Sequence, residues 1–453
     1  MTAVPVLPAD FPALRGAVLT DPDVTAAYAD DHCSPVHGGT PLAVVLAECT
    51  DDVSATARWC YANDVVMIPR GGGSGLAGGA SALDGCVVIS LARMNAIREI
   101  SVADQYAVAE AGVINADLDA AAREHGLMYP PDPSSYEICT IGGNVATNAG
   151  GLRCVKYGVT REYVLGLQVV LADGRVIKTG RRTVKGVTGY DLTQLLCGSE
   201  GTLGIVTTVT VKLKPAPAHP PTTVAASFPD VVRAAAAVAA VVASGVTPAL
   251  MELMDRRTLE VVQDMRPFGL EDSTIAMLIG QASTPADAAV LEREFERAGA
   301  HYVVVSDDPA EADELLAVRR AAFPAYENAG NIFSEDVGVP RSKLPEMFAR
   351  IEAIAAKYGL DIPTCAHAGD GNLHPTLIYP HGETEVPQAI WGAADEIFTA
   401  ALDLGGTLTG EHGVGVLKAR WTGQELGDDV LELHRAIKAA WDPKNLLNPG
   451  RGF

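Results

Sequence analysis

The segment Cys365-Ala366-His367-Ala368-Gly369-Asp370-Gly371-Asn372-Leu373-His374-Pro375 places two histidines seven residues apart. On one continuous strand that odd spacing would aim them at opposite faces. The intervening Gly-Asp-Gly-Asn is turn chemistry, so the chain is expected to bend and bring both imidazoles to one point. Further on, Thr409-Gly410-Glu411-His412-Gly413-Val414-Gly415 adds a carboxylate and a third imidazole between glycines that permit unusual backbone angles. One histidine alone is ordinarily a satisfied buried side chain. Three of the chain's ten, in two glycine-framed loops, point instead to a metal. Two imidazoles and one carboxylate suit Zn²⁺, Mn²⁺ or Fe²⁺ and leave positions for water or substrate.

A second kind of chemistry lies earlier in the chain. Pro69-Arg70-Gly71-Gly72-Gly73-Ser74-Gly75-Leu76-Ala77-Gly78-Gly79 has so many residues without Cβ that its amides can close on a bulky anion such as a pyrophosphate. Gly73, Gly75 and Gly78 satisfy G-x-G-x-x-G, but that motif requires a helix next and an acidic strand end about 20 residues on. Here another turn and the strand Cys86–Leu91 follow, which argues against a dinucleotide fold of that type. No Gly-Lys-Ser/Thr follows the glycines either. Three more segments are runs of small and amide-bearing residues: Pro130–Ser135, Thr140–Gly151 and Gly198–Ile205. Such runs present bare backbone and short hydrogen-bonding groups to something flat and polar, as an isoalloxazine ring is.

These segments need a scaffold. Strands are expected at Leu42–Leu46, Val65–Pro69, Val87–Leu91, Ala107–Ala111, Gly166–Leu171 and Ile205–Leu213, with helices at Val53–Tyr61 and Asn115–His125. Pro215, Pro217, Pro220 and Pro221 form a stiff linker. Beyond it the order reads strand Thr222–Phe228, helix Val231–Ala243, strands Ala249–Met254 and Thr274–Gly280, helix Pro285–Ala298 and strand Tyr302–Ser306. That βαββαβ order is the ferredoxin-like pattern with an antiparallel sheet. Helices are expected at about 311–326, 342–357, 386–403 and 429–440. The fold class is therefore α+β, with a lead-in over 1–37, a first domain over 38–217 and a second over 218–453.

At 453 residues the chain has room for two cores and a cofactor as large as FAD. Its net charge of −22 argues against a nucleic-acid partner and against anionic lipid. Eight cysteines without a CxxC pair fit buried thiols in a reducing compartment, so a cytoplasmic location is expected. Met1 to Leu14 lacks the basic start and apolar core of a signal peptide, and the apolar stretch Val231–Met251 is broken by Gly245 and Pro248, so no transmembrane span is expected.

Pro-Arg-Gly-Gly-Gly-Ser-Gly-Leu, Gly-Gly-Asn-Val-Ala-Thr-Asn-Ala-Gly-Gly, Gly-Ser-Glu-Gly-Thr-Leu-Gly and the two histidine segments together resemble the vanillyl-alcohol oxidase (PCMH-type) superfamily. The likeness is to the branch that contains the flavoprotein subunit of glycolate oxidase, D-lactate dehydrogenase and D-2-hydroxyglutarate dehydrogenase. It implies a PCMH-type FAD-binding domain followed by a ferredoxin-like cap domain with a helical C-terminal segment. Cofactor contacts are then expected at Pro69, Arg70, Gly71, Gly72, Gly73, Ser74, Gly75, Gly78, Pro133, Thr140, Gly142, Gly143, Asn144, Thr147, Asn148, Gly150, Gly151, Tyr157, Gly158, Glu200, Gly204, Ile205 and Asn448. Relatives that attach flavin covalently often use a histidine in the first loop; Ser74 stands here, so FAD is expected to be non-covalent.

The resemblance also implies metal ligands at His367, His374 and Glu411, with Zn²⁺ the expected ion. Oxidation of a 2-hydroxy acid sheds a hydride from C2 and a hydroxyl proton, and an imidazole suits the proton by its intrinsic pKa. His412 is the expected base. A guanidinium can grip the substrate carboxylate through two parallel bonds; Arg319 matches the family's arginine, Arg341 is a second candidate, and His374 is a further substrate contact. Pro375-Thr376 resembles the glycolate and lactate type more than the hydroxyglutarate type. The electron acceptor stays open among a quinone, a cytochrome, an electron-transfer flavoprotein and an iron-sulfur subunit, and a homodimer stays open too. Two other readings remain. One is an alkyl-glycerone-phosphate synthase, whose run of adjacent histidines is absent here. The other is a non-catalytic flavoprotein subunit of a larger redox complex.

Overall fold

Alternation of inward apolar and outward polar residues shapes the strand Ile205–Lys212, the centre of a five-stranded antiparallel sheet. Its order is Ile97–Ser101, Tyr106–Glu110, Ile205–Lys212, Val164–Val170, Val176–Gly180. The computed structural model describes residues 10–452; the start of the 1–37 lead-in and residue 453 lie outside the described residues. Contacts divide the chain into two units. The first runs through Gly150, resumes over Val159–Ala216 and returns from Glu411 onward; the second takes Gly151–Gly158 and Pro217–Gly410.

The first unit also holds a four-stranded sheet ordered Ala17–Leu19, Ala43–Leu46, Val87–Ser90, Met67–Arg70, its last three strands parallel. Val44, Ile68, Cys86 and Val88 form its core. The helix Thr50–Ala62 joins two of these strands and buries Val53, Ala57, Trp59 and Cys60. Its Asp52 carboxylate accepts the N–H groups of Arg15, Gly16 and Glu48 at 2.8 to 3.0 Å, which fixes the edge strand's entry.

In the second unit the strands Tyr302–Ser306, Thr222–Phe228, Ala276–Ala282 and Leu250–Asp255 lie side by side, all antiparallel. That is the ferredoxin-like arrangement read from the sequence. The sheet continues through Thr364–His367, Asn372–Tyr379 and Asn331–Ser334. Several element assignments change, and the strands Ala17–Leu19, Ile97–Ser101, Val176–Gly180 and Asn331–Ser334 are additions to those expected. A helix, Arg256–Met265, follows the strand Leu250–Asp255 directly, so the order is not a bare βαββαβ. Asp255 ends the strand and caps the helix, its side chain accepting from Thr258 N at 2.8 Å, so no turn residues separate the two. The helix expected at 311–326 is two, Pro309–Arg320 and Ala322–Ala329. The segment over 140–151 contains a short helix, Ile141–Thr147, begun by Thr140 Oγ1 accepting from Gly143 N at 3.2 Å.

The eight cysteines form no disulfide among the described residues, and six are buried. No helix among the described residues is long and apolar enough to cross a membrane.

Candidate active site

The glycine loop after Pro69 is held by close contacts that leave no space for a Cβ at Gly71 or Gly72. A Cβ on Gly71 would collide with Thr140 Oγ1, and one on Gly72 with Ile138 O, so the loop lies directly against the 138–143 segment. Gly73 and Gly78 have φ of 71° and 74°, in the left-handed region. Arg70 lies beneath the loop it opens, its guanidinium 5.9 Å from the Tyr28 ring and bonded to Ala80 O at 3.4 Å. Asp31 fastens the far end, accepting from Ala80 N and Ser81 Oγ at 3.1 and 3.2 Å. A Cβ on Gly75 would meet Asp31 Oδ2 at 3.6 Å, an ordinary contact.

The third loop joins the first two. Glu200 N donates to Ala146 O at 2.7 Å and Gly198 N to Val145 O at 2.9 Å. Asn448 Nδ2 donates to both Gly79 O at 3.0 Å and Glu200 O at 2.6 Å, tying the first loop to the third. Glu200, at φ 51°, points its carboxylate to the N–H groups of Val414 and Gly415, each at 2.7 Å. Burial pushes that carboxyl above the usual carboxylate range, against the pull of the two N–H groups. Asn148, in the left-handed region at φ 54°, ends the short helix, and its Oδ1 accepts from Arg161 N at 2.9 Å. Thr147 bonds back to Gly143 O, while Gly204 and Ile205 lead into the central strand. Pro133 accepts from Tyr136 N in the turn before Thr140. The structure thus brings most expected cofactor residues together within the first unit. Gly151, Tyr157 and Gly158 belong to the segment grouped with the second unit, where Leu152 packs on its core.

In the second unit the bend between the two histidines is a tight hairpin. Thr364–His367 pairs with Asn372–Tyr379, His367 opposite Asn372 and Cys365 opposite His374. Paired residues share a face, and so do residues two apart, so His367 and His374 emerge on the same side. Their ring centroids are 5.0 Å apart. Gly371, at φ 90°, makes the turn.

The neighbours of these imidazoles were not foreseen. Glu252, on the adjoining strand and opposite His367, is fully buried, with Oε1 2.7 Å from His367 Nδ1. Its Oε2 accepts from Arg319 Nε at 2.8 Å. Arg319 is therefore buried at the end of its helix rather than a solvated charge. Burial opposes the guanidinium's charge, but Cys365, Glu252 and Tyr326 hold its pKa above the ordinary value. Asp336, also fully buried, lies 3.9 Å from His374 Nδ1 and accepts from Asn372 Nδ2 and Thr409 Oγ1, both at 2.6 Å. The available signal was an acid inside an apolar strand, Met251-Glu252-Leu253, and two adjacent acids in Phe333-Ser334-Glu335-Asp336-Val337. Arg341 sits exposed on the turn Arg341–Lys343. In the first unit His412 Nε2 lies 4.0 Å from Glu411 Oε1.

Residues 219–451 match the family of FAD linked oxidases, C-terminal domain, and residues 41–180 match an FAD binding domain. The chain belongs to the FAD-linked oxidases. Among relatives, a glycolate oxidase subunit GlcD of Bacillus subtilis is 42% identical, over 93% of this chain and 90% of its own length. A D-lactate dehydrogenase of Archaeoglobus fulgidus is 36% identical, over 94% and 95%. Among solved structures, p-cresol methylhydroxylase with substrate bound superposes with a TM-score of 0.77 at 20% identity, covering 96% of this chain and 93% of its own. An alkyldihydroxyacetonephosphate synthase does so at 0.75 and 18%, covering 95% and 82%. These two establish the fold alone, the PCMH-type fold that the glycine and asparagine motifs implied.

Three interlocked loops of small residues in the first unit fit the cofactor of an FAD-linked oxidase. The donor set on the hairpin also fits a metal. A carboxylate only accepts hydrogen bonds, so His367 Nδ1 donates to Glu252, and in a neutral ring the lone pair is then on Nε2.

Proposed function

We propose that this FAD-linked oxidase oxidises a small 2-hydroxy acid, of the glycolate or D-lactate type, to the 2-oxo acid. The similarity to a glycolate oxidase subunit and a D-lactate dehydrogenase, each over more than nine-tenths of this chain, carries the reading. Bound FAD, held without a covalent link, supplies the acceptor for the hydride that leaves C2. A divalent metal held by His367, His374 and Glu411, with Zn²⁺ the first choice, supplies a Lewis acid for the substrate hydroxyl.

The remaining roles fall to side chains of this chain. His412 takes the hydroxyl proton on an imidazole nitrogen. Arg319 has its Nε engaged by Glu252, so the guanidinium edge formed by its two terminal nitrogens is the one to grip the substrate carboxylate. Eight cysteines, none of them in a disulfide, support a reducing, cytoplasmic setting.

The test is His412→Ala in single-turnover reduction with D-lactate and glycolate. Loss of a general base slows the reductive step by ~10²–10⁴-fold while flavin content stays normal. Near-normal reduction by the variant would remove His412 from the mechanism.

A further inference from the structure

Glu252 sits in the middle of the strand Leu250–Asp255, fully buried, and splits its carboxylate between two partners remote in sequence. Oε1 meets His367 Nδ1 at 2.7 Å and Oε2 meets Arg319 Nε at 2.8 Å. Replacing buried ionic groups of this kind with well-packed apolar ones is often neutral or stabilising, so fold stability alone does not account for the arrangement.

We propose that Glu252 is a positioning residue serving both halves of the chemistry at once. Through one oxygen it holds His367 in the Nδ1–H tautomer, which leaves the ring's lone pair on Nε2, the donor a divalent cation needs. Through the other it fixes the Arg319 side chain by its Nε, which sets the direction of the terminal guanidinium edge. The antiparallel register makes this possible: Glu252 stands directly opposite His367, so its carboxylate reaches the ring without crossing the sheet. The proposal rests on the reading above that His367 binds metal and Arg319 binds the substrate carboxylate.

The experiment compares wild type, Glu252→Gln and the double variant Glu252→Gln/Arg319→Gln, which avoids leaving a buried guanidinium without its carboxylate. Zn²⁺ affinity is read by competition with a chromophoric chelator, and the His367 tautomer by long-range ¹H–¹⁵N correlation on metal-free, ¹⁵N-histidine-labelled protein. Both variants are expected to bind Zn²⁺ ~10–100-fold more weakly, with His367 losing its single Nδ1–H form and FAD content unchanged. Arg319→Gln alone, which leaves Glu252 on His367, is expected to keep Zn²⁺ affinity near wild type while raising KM for D-lactate. Zn²⁺ affinity and tautomer unchanged in both Glu252 variants would overturn the role of Glu252 and leave the metal reading standing. Wild-type protein that takes up no Zn²⁺ would overturn the metal reading and this proposal with it.

Discussion

Glu200 accepts a hydrogen bond of 2.7 Å from the Gly415 N–H, and its other carboxylate oxygen accepts one of the same length from Val414. One side chain of the third glycine loop therefore anchors the turn that carries Glu411 and His412. Gly413, with φ 84° and a Cβ position 3.0 Å from Glu200 Oε1, lets that turn pass close to the carboxylate. Glu200→Ala strips both N–H groups of their acceptor and is expected to cost about 2–4 kcal/mol of stability. It should also slow substrate-dependent flavin reduction, whereas Glu200→Gln, keeping one acceptor, should lose less of both. Denaturant titration and stopped-flow absorbance measure the two effects.

Gly72 lies against the backbone carbonyl of Ile138 and Gly71 against the Thr140 hydroxyl, so a methyl group on Gly72 must push the first loop away from the second. Gly72→Ala is expected to yield protein with sharply reduced FAD content, because the carbonyl of Ile138 cannot yield as a flexible side chain would. The ratio of flavin to protein absorbance after purification decides it. Full flavin occupancy would contradict the close packing described.

Burial pushes the thiols of Cys60 and Cys197 up to about 12 and that of Cys86 up to about 11. Thiolate is the reactive form, so these groups should resist alkylation at neutral pH. Only Cys49 and Cys154 are partly exposed. Native labelling with iodoacetamide, counted by mass spectrometry, should modify at most these two; all eight should react after denaturation.

Asp255 predicts a pH dependence of stability. Burial, opposed by bonds from Thr258 and Thr364, raises its carboxyl from 3.8 to about 6. A carboxyl whose folded pKa is raised favours the folded state below its unfolded pKa, and that contribution is lost as pH rises through the folded value. Between pH 4 and 6.5 wild type should therefore lose about 2–3 kcal/mol that Asp255→Asn does not. Urea unfolding of both proteins at the two pH values provides the comparison.

Much of this was legible in local pattern. The odd spacing of His367 and His374 around Gly-Asp-Gly-Asn implied a bend, and the hairpin supplies it. The strand Thr222–Phe228, helix Val231–Ala243 and strand Tyr302–Ser306 match their expected bounds, because each is a clean apolar run between turn residues. The helix Arg256–Met265 escaped notice because Asp255 serves as strand end and helix cap together, leaving no turn signal. Glu252 was missed for a different reason. Its partners lie 67 and 115 residues away, and only the register of a formed sheet brings them to one carboxylate. The grouping of Gly151–Gly158 with the second unit, and of the chain from Glu411 with the first, is likewise a product of long-range packing.

The most direct test of the central claim is an anaerobic absorbance spectrum of purified, metal-analysed protein before and after D-lactate, glycolate and D-2-hydroxyglutarate, each added separately. D-Lactate or glycolate should bleach the flavin band at about 450 nm, and prior chelation should abolish the bleaching while FAD remains bound. A flavin band that all three acids leave intact in metal-replete protein would contradict the assignment as a small 2-hydroxy-acid oxidase.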